Sequence, residues 1–96
     1  NKSNNKEDKS MREETKNILL QRFKEFWKEY PKKREKQLCQ EWYLKNKPNA
    51  NLHFNILLGV RYFKDTDEWQ KENGKFIVYP IRYLKRNLWK DVLNND

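Results

Sequence analysis

The chain has 96 residues, of which 35% are hydrophobic, 15% aromatic and 38% charged. A chain of this length forms at most one domain, and its small core leaves folding marginal unless large side chains fill that core. One cysteine excludes a disulfide framework, and no apolar run is long enough for a membrane span or a signal-peptide core. We therefore expect a small cytoplasmic protein without a membrane partner.

The net charge is +8 at pH 7. A chain this basic is attracted to nucleic acid and to anionic membrane surfaces. With so many charged residues, much of the charge is also explained by a solvated surface. The placement of the cations along the chain therefore matters more than their number.

The first ten residues contain no apolar side chain. They cannot offset the entropy of ordering, so we expect residues 1–10 to be a disordered linker or tail. Residues 11–93 are expected to form a single small helical domain.

The first predicted helix runs from Met11 to Tyr30. Ser10 and Glu13 match a capping box at its start, and Pro31 ends it because proline disfavours the α conformation in the preceding residue. One face of this helix carries a large apolar stripe. The stripe consists of Leu19, Phe23, Phe26, Trp27 and Tyr30.

The second predicted helix runs from about Arg34 to Asn46 and ends before Pro48. Its buried stripe is expected to contain Leu38 and Trp42, with Cys39 and Tyr43 as further candidates.

The third predicted helix runs from about Asn51 to Phe63, with Gly59 allowing a close approach by a neighbour. The apolar side of this helix is made of Leu52, Ile56, Leu57, Val60 and Phe63.

Short elements follow the third helix. Asp65 and Glu68 match a second capping box, which would open a short helix carrying Trp69. Asn73-Gly74 indicates a turn, and Pro80 suits the first turn of a last helix over about residues 81–87. Leu88 and Trp89 would then pack back on the bundle. The predicted fold class is all-α: a compact bundle of three main helices plus short C-terminal helices.

The sequence favours a protein that is not an enzyme and needs no cofactor or metal. His53 is the only histidine, and we expect it at the surface or partly buried. Cys39 lies on an expected buried face, where a free cysteine usually acts as a small apolar side chain. Helix capping explains Asp65 and Glu68 better than metal binding does. Gly59 and Gly74 are the only glycines, so the chain has no phosphate-binding glycine loop.

Two groups of cations are candidate nucleic-acid contacts. Lys32, Lys33, Arg34 and Lys36 surround the predicted start of the second helix, where cations oppose the helix dipole unless an anion is bound. A second group lies on the last helix and just beyond it, and consists of Arg82, Lys85, Arg86 and Lys90. Two independent solvated faces remain the alternative explanation.

Three tyrosines lie near these cations, namely Tyr43, Tyr79 and Tyr83. They could stack on bases of single-stranded DNA, with Tyr83 as the preferred candidate. They could equally be core residues.

The order and spacing of the aromatic motifs identify a family. The motifs are the segment Phe23–Lys33 (FKEFWKEYPKK), Trp42, Trp69, the segment Gly74–Leu84 (GKFIVYPIRYL) and the segment Trp89–Asp91 (WKD). In this order they resemble a module near the C-terminus of phage and prophage replication proteins of the replisome-organiser or initiator type. The resemblance covers about residues 23–92, most of the chain.

That resemblance implies DNA replication, but it leaves the ligand open. The first reading is a DNA-binding module whose cations contact the phosphate backbone, with single- or double-stranded DNA unresolved. The second is a docking module for a replicative helicase, a helicase loader or another replication factor, with Trp89 as the first exposed residue to suspect. A phage-encoded inhibitor of a host nucleic-acid enzyme is a third possibility.

Overall fold

The computed structural model describes residues 12–93. Within that range six α-helices follow one another: α1 (Glu13–Glu29), α2 (Lys36–Asn46), α3 (Ala50–Lys64), α4 (Asp67–Gln70), α5 (Pro80–Lys85) and α6 (Trp89–Leu93). A 3₁₀ turn over Lys71–Gly74 follows α4, and no strand occurs between residues 12 and 93. The all-α prediction is confirmed. The expectation for residues 1–10, including the Ser10 half of the capping box, lies outside the described residues.

Helix α1 forms the base of the core and ends where proline predicts. Phe26 and Tyr30 are completely buried, and Phe23 is nearly so. Tyr30 has already left the helix, with φ −72° and ψ 126°, directly before Pro31. At the other end Arg12 occupies the N-cap position and its side chain makes no capping hydrogen bond.

Helix α2 differs from its prediction in both start and orientation. It begins at Lys36, and its buried residues are Cys39 and Tyr43. Leu38 is 45% exposed and Trp42 only partly buried, so the prediction that these two form the buried stripe was wrong. One position along a helix turns the side chain by about 100°. The ring of Tyr43 fits against Phe23 and Phe26 of α1 at centroid distances of 6.0 and 5.9 Å, and this packing selects the face.

Helix α3 follows its predicted pattern and packs against α1 and α6. Asn49 caps it by accepting a hydrogen bond from the Leu52 N–H at 2.8 Å. Ile56 and Val60 are completely buried. Gly59 permits a close approach, as predicted, because a Cβ atom there would lie 2.7 Å from the Trp89 Cβ.

The short C-terminal elements keep their order, with one change of cap and one further helix. The helix expected to be the last ends at Lys85, and α6 (Trp89–Leu93) follows it. Thr66, rather than Asp65, caps α4: its hydroxyl accepts from the Trp69 N–H at 3.4 Å. Asp65 instead occupies the C-cap of α3, so the proposed Asp65–Glu68 capping box was wrong. The turn at Gly74, where φ is +82°, is confirmed, and so is the place of Pro80 in the first turn of α5.

Aromatic rings from most of the chain fill the core. Tyr83 stacks on Phe26 at 6.1 Å and lies 5.5 Å from Tyr30, while Phe63 stacks on Trp69 at 5.1 Å. Such rings bury a large area each, which lets a short chain form a core. Among residues 12–93, no helix has both the length and the apolar character needed to cross a membrane.

Candidate nucleic-acid interface

The first group of cations lies mostly in the loop between α1 and α2. Because α2 begins at Lys36, only that member lies in the first turn of the helix, and Lys32, Lys33 and Arg34 precede it. Glu35 occupies the N-cap with a left-handed φ of 57° and makes no side-chain capping bond. The late start therefore spreads these cations over a loop instead of grouping them around the end of a helix.

Lys33 turns back onto α1. Its ammonium donates to the Tyr30 carbonyl and lies 5.8 Å from the centre of the Trp27 ring. Burial, together with the nearby Lys64 charge, lowers the pKa of Lys33. This side chain therefore contacts the end of α1, and the residue is exposed.

Lys32 points in a different direction, towards the start of α5. Its ammonium lies 5.5 Å from the centre of the Tyr79 ring. Tyr79 is the N-cap residue of α5 and is 45% exposed. The α1–α2 loop therefore lies beside the first turn of α5.

Helix α5 packs along α2, and a groove of about 370 Å³ runs between them. Lys85 of α5 and Lys45 of α2 both line this groove, near the half-buried Trp42. The residues that complete it are Leu38, Glu41, Asn46 and Ile81. The groove and the N-terminal end of α5 together form a short strip, with Lys32 beside Tyr79 and Lys85 in the last turn of the helix. The six residues of α5 themselves span about 9 Å.

We call this strip the α2–α5 seam and define it by Lys32, Trp42, Lys45, Tyr79 and Lys85. It contains one member of each predicted cation group, together with Lys45, which the sequence did not single out. Lys32 lies beside the Tyr79 ring, Lys45 and Lys85 line the groove with Trp42, and Glu41 is the acidic residue of the groove.

The other predicted cations are exposed but less clearly grouped. Arg82 lies on α5 and Arg86 at its C-cap. Lys90 lies on α6, which packs mainly against α3.

Two of the three candidate tyrosines are core residues. Tyr83 is completely buried, and its hydroxyl donates to the Ile56 carbonyl at 2.8 Å. Tyr43 is also completely buried and pairs with His53 Nδ1 at 3.1 Å. Neither ring can stack on a base, so the prediction of Tyr83 as a nucleic-acid contact was wrong. Helix α5 turns Tyr83 and Leu84 inward together and leaves Tyr79 exposed.

Phe76 is an exposed aromatic residue that the sequence reasoning missed. Its side chain is 42% exposed, and the ammonium groups of Lys71 and Lys75 lie 5.1 and 5.9 Å from its ring centre. The next residue, Ile77, is 8% exposed and faces the core. No alternating pattern marks Phe76, because it lies in the turn that the hydrogen bond from the Ile77 N–H to the Gly74 carbonyl closes.

The tryptophans do not match the predicted docking role of Trp89. Trp89 is only 2% exposed, since its ring lies against Tyr83 at 5.7 Å and Trp42 at 6.1 Å. The prediction that Trp89 is an exposed docking residue was therefore wrong. Trp27 and Trp42 are the two that keep part of their surface.

A second, apolar groove of about 520 Å³ lies between α1 and α3. Ile18 and Phe54 on its rim are 50% and 56% exposed. His53 at its floor is 6% exposed, which is more buried than the sequence suggested, and its Nε2 lies 2.8 Å from the Glu25 carboxylate.

Residues 12–93 contain no group of three or more side chains arranged to hold a metal ion. No protein-family model, curated protein or solved structure matches the chain. The two grooves, with the exposed cations and aromatic rings around them, are the surfaces of residues 12–93 best suited to a ligand.

Proposed function

We propose that this protein is a non-enzymatic DNA-binding module of a phage- or plasmid-type replication initiation protein, acting in the cytoplasm. One observation carries the proposal: Lys32 and Lys85, from cation groups far apart in the sequence, lie beside the two ends of the same short helix, α5. Like charges at such a seam repel one another unless a polyanion lies across them. The order of the aromatic motifs supports the replication context.

The physical basis is backbone contact. Each lysine that neutralises a phosphate releases condensed counterions, so affinity falls as salt rises. Helix α5, about 9 Å long, spans roughly three steps of 3.4 Å along one strand. Binding by one such module would be weak alone, and tethering to a second DNA-binding domain would strengthen it through effective concentration.

The test is fluorescence anisotropy with labelled single-stranded and duplex DNA across a salt series. The variant Lys32→Gln/Lys85→Gln should bind more weakly, and the slope of log K against log salt should become shallower by roughly 1.4 on single strands or 1.8 on duplex. The matched control is Lys16→Gln/Lys24→Gln, which removes the same charge from exposed positions of α1. An equal loss in both variants would mean a non-specific charge effect and would reject the seam.

A second function is favoured by the α1–α3 groove. Exposed Ile18 and Phe54 beside a preformed apolar groove suit an apolar segment of a replicative helicase or helicase loader. Phe54→Ser should then abolish binding to the purified helicase or loader and leave DNA affinity unchanged. If wild-type protein binds neither of them, docking at this groove is rejected.

A further inference from the structure

Two aromatic rings are exposed within four residues of each other. Phe76 and Tyr79 lie in the 75–79 segment, which joins the 3₁₀ turn to α5, and are 42% and 45% exposed. Ile77 between them is buried. Ile77 anchors the segment to the core, so the two rings keep a large exposed surface among residues 12–93 that a partner can cover.

The backbone that carries these rings is held in place. The Tyr30 hydroxyl donates to the Val78 carbonyl at 2.7 Å, and the Ile77 N–H donates to the Gly74 carbonyl at 3.1 Å. Tyr79 continues directly into α5, where its carbonyl accepts from the Arg82 N–H at 3.0 Å. A ligand that stacks on these rings would therefore find them already positioned, and little ordering entropy would be lost.

Each ring has cations beside it. Lys71 and Lys75 lie 5.1 and 5.9 Å from the centre of the Phe76 ring, and Lys32 lies 5.5 Å from that of Tyr79. An aromatic ring offers a flat surface on which a base can stack, and an ammonium group beside the ring can bind the phosphate next to that base. Cation–π pairing at an exposed site is weak, so a lysine can leave the ring for a phosphate when a base takes its place.

We infer that the 75–79 segment is a stacking platform for single-stranded DNA. Phe76 and Tyr79 take unpaired bases, and Lys71, Lys75 and Lys32 contact the neighbouring phosphates. The inference rests on the proposed DNA-binding function and adds a preference for single strands. In duplex DNA the faces of the bases are covered by their neighbours, so surface rings cannot reach them without unstacking the helix.

The spacing of the rings fits this ligand. Phe76 and Tyr79 are three residues apart, so their Cα atoms lie at most about 11 Å from each other. The two rings can therefore contact bases of one short segment of strand.

The deciding experiment compares a labelled single-stranded oligothymidine with a duplex of the same length, both by anisotropy at low salt. Phe76→Leu/Tyr79→Leu keeps every charge and should weaken single-strand binding by roughly 5- to 150-fold for each stacked base lost. Its salt slope and its duplex affinity should equal those of the wild type. The control Phe54→Leu/Tyr62→Leu alters equally exposed rings on α3 and should bind as the wild type does.

Each outcome separates the two proposals. If the wild type prefers duplex and Phe76→Leu/Tyr79→Leu changes nothing, the platform is rejected, while salt-dependent loss in Lys32→Gln/Lys85→Gln would still support the seam. If the ring variant weakens both substrates equally, the single-strand preference is rejected. Circular dichroism of each variant checks that an affinity loss does not reflect unfolding.

Discussion

At the scale of single residues, His53 is the clearest case of a polar group that the fold has satisfied. Its ring lies between the Tyr43 hydroxyl and the Glu25 carboxylate, at 3.1 and 2.8 Å. If Nε2–H donates to Glu25, then Nδ1 accepts the Tyr43 proton, and every buried polar atom of the three is paired. This arrangement explains why a histidine can lie in the floor of an apolar groove, and it gives no support to a catalytic role.

The Glu25–His53 pair predicts a pH effect. The hydrogen bond from His53, opposed by partial burial, lowers the pKa of Glu25 from its usual 4.5. A depressed carboxylate pKa stabilises the fold above 4.5, and that contribution is lost as the pH falls through the folded-state pKa. Glu25→Gln should flatten the fall in stability below pH 4.5, by no more than about 0.5 kcal/mol because Glu25 is half exposed. Urea unfolding at several pH values measures this effect.

Gly59 provides a second prediction at this scale. In a helix alanine is favoured over glycine by about 1 kcal/mol. Here the added methyl would meet the Tyr83 hydroxyl and lie 2.9 Å from the Trp89 Cα, where backbone cannot move freely. The cost of overpacking should exceed the gain in helix propensity, so Gly59→Ala should lower the free energy of unfolding in urea by about 1–3 kcal/mol. A gain in stability would show that α6 can shift away from α3. Asn51→Ala, at an exposed position of α3, should stay within about 0.5 kcal/mol of the wild type.

At the scale of elements, the 75–79 segment depends on α1 for its position. It belongs to no helix, yet Ile77 is buried and the Val78 carbonyl accepts from the Tyr30 hydroxyl. Burial raises the pKa of the Tyr30 phenol, so the hydroxyl keeps its proton and remains a donor. The end of the first long helix thereby positions both Tyr79 and the loop that carries Lys32.

Removal of this single hydrogen bond is a test at the element scale. Tyr30→Phe keeps the ring in the core and should cost about 1 kcal/mol of stability. Amide exchange at Ile77 should speed up more than exchange at Ile56 in the middle of α3. Equal changes at both amides would contradict the idea that Tyr30 anchors this segment in particular. Tyr62→Phe, on an exposed ring, is the matched control.

At the scale of the whole molecule, Cys39 reports on the integrity of the bundle. It is completely buried on the face that α2 turns inward. Burial, with a smaller contribution from Glu35, raises the pKa of this thiol to about 12. The thiolate is the reactive form, so the folded protein should be nearly inert to thiol reagents at pH 8.

The rate of thiol modification should therefore follow unfolding. In native buffer Cys39 should react slowly with a disulfide reagent, and the rate should rise with urea in parallel with the loss of helix. Cys39→Ala/Gln37→Cys places the thiol at an exposed position of the same helix and should react at once. Rapid reaction of the wild type without urea would mean that α2 detaches from the bundle while the rest stays folded.

Much of this architecture followed from local chemistry. Pro31 fixed the end of α1 because the ring of proline disfavours the α conformation in the residue before it. Pro80 fixed the start of α5 because its own φ suits the first turn of a helix, where its missing N–H is not needed. The apolar periodicity of α1 and of α3 selected their buried faces correctly. These features need only neighbours within a few positions of the chain, so sequence alone determined them.

Tertiary packing decided the rest. In α2 the apolar residues form two adjacent stripes, and only contact with α1 settled that Cys39 and Tyr43 go inward while Leu38 and Trp42 border the seam. Likewise, Tyr79 and Tyr83 lie four residues apart at the start of α5, yet Tyr83 closes the core and Tyr79 stays exposed. The docking of α5 on α2 brings Lys85 into the groove beside Lys45 and Trp42, and it leaves Tyr79 at the start of α5 beside Lys32. Burial of one side chain instead of its neighbour depends on partners distant in sequence, and local patterns carry no information about those partners.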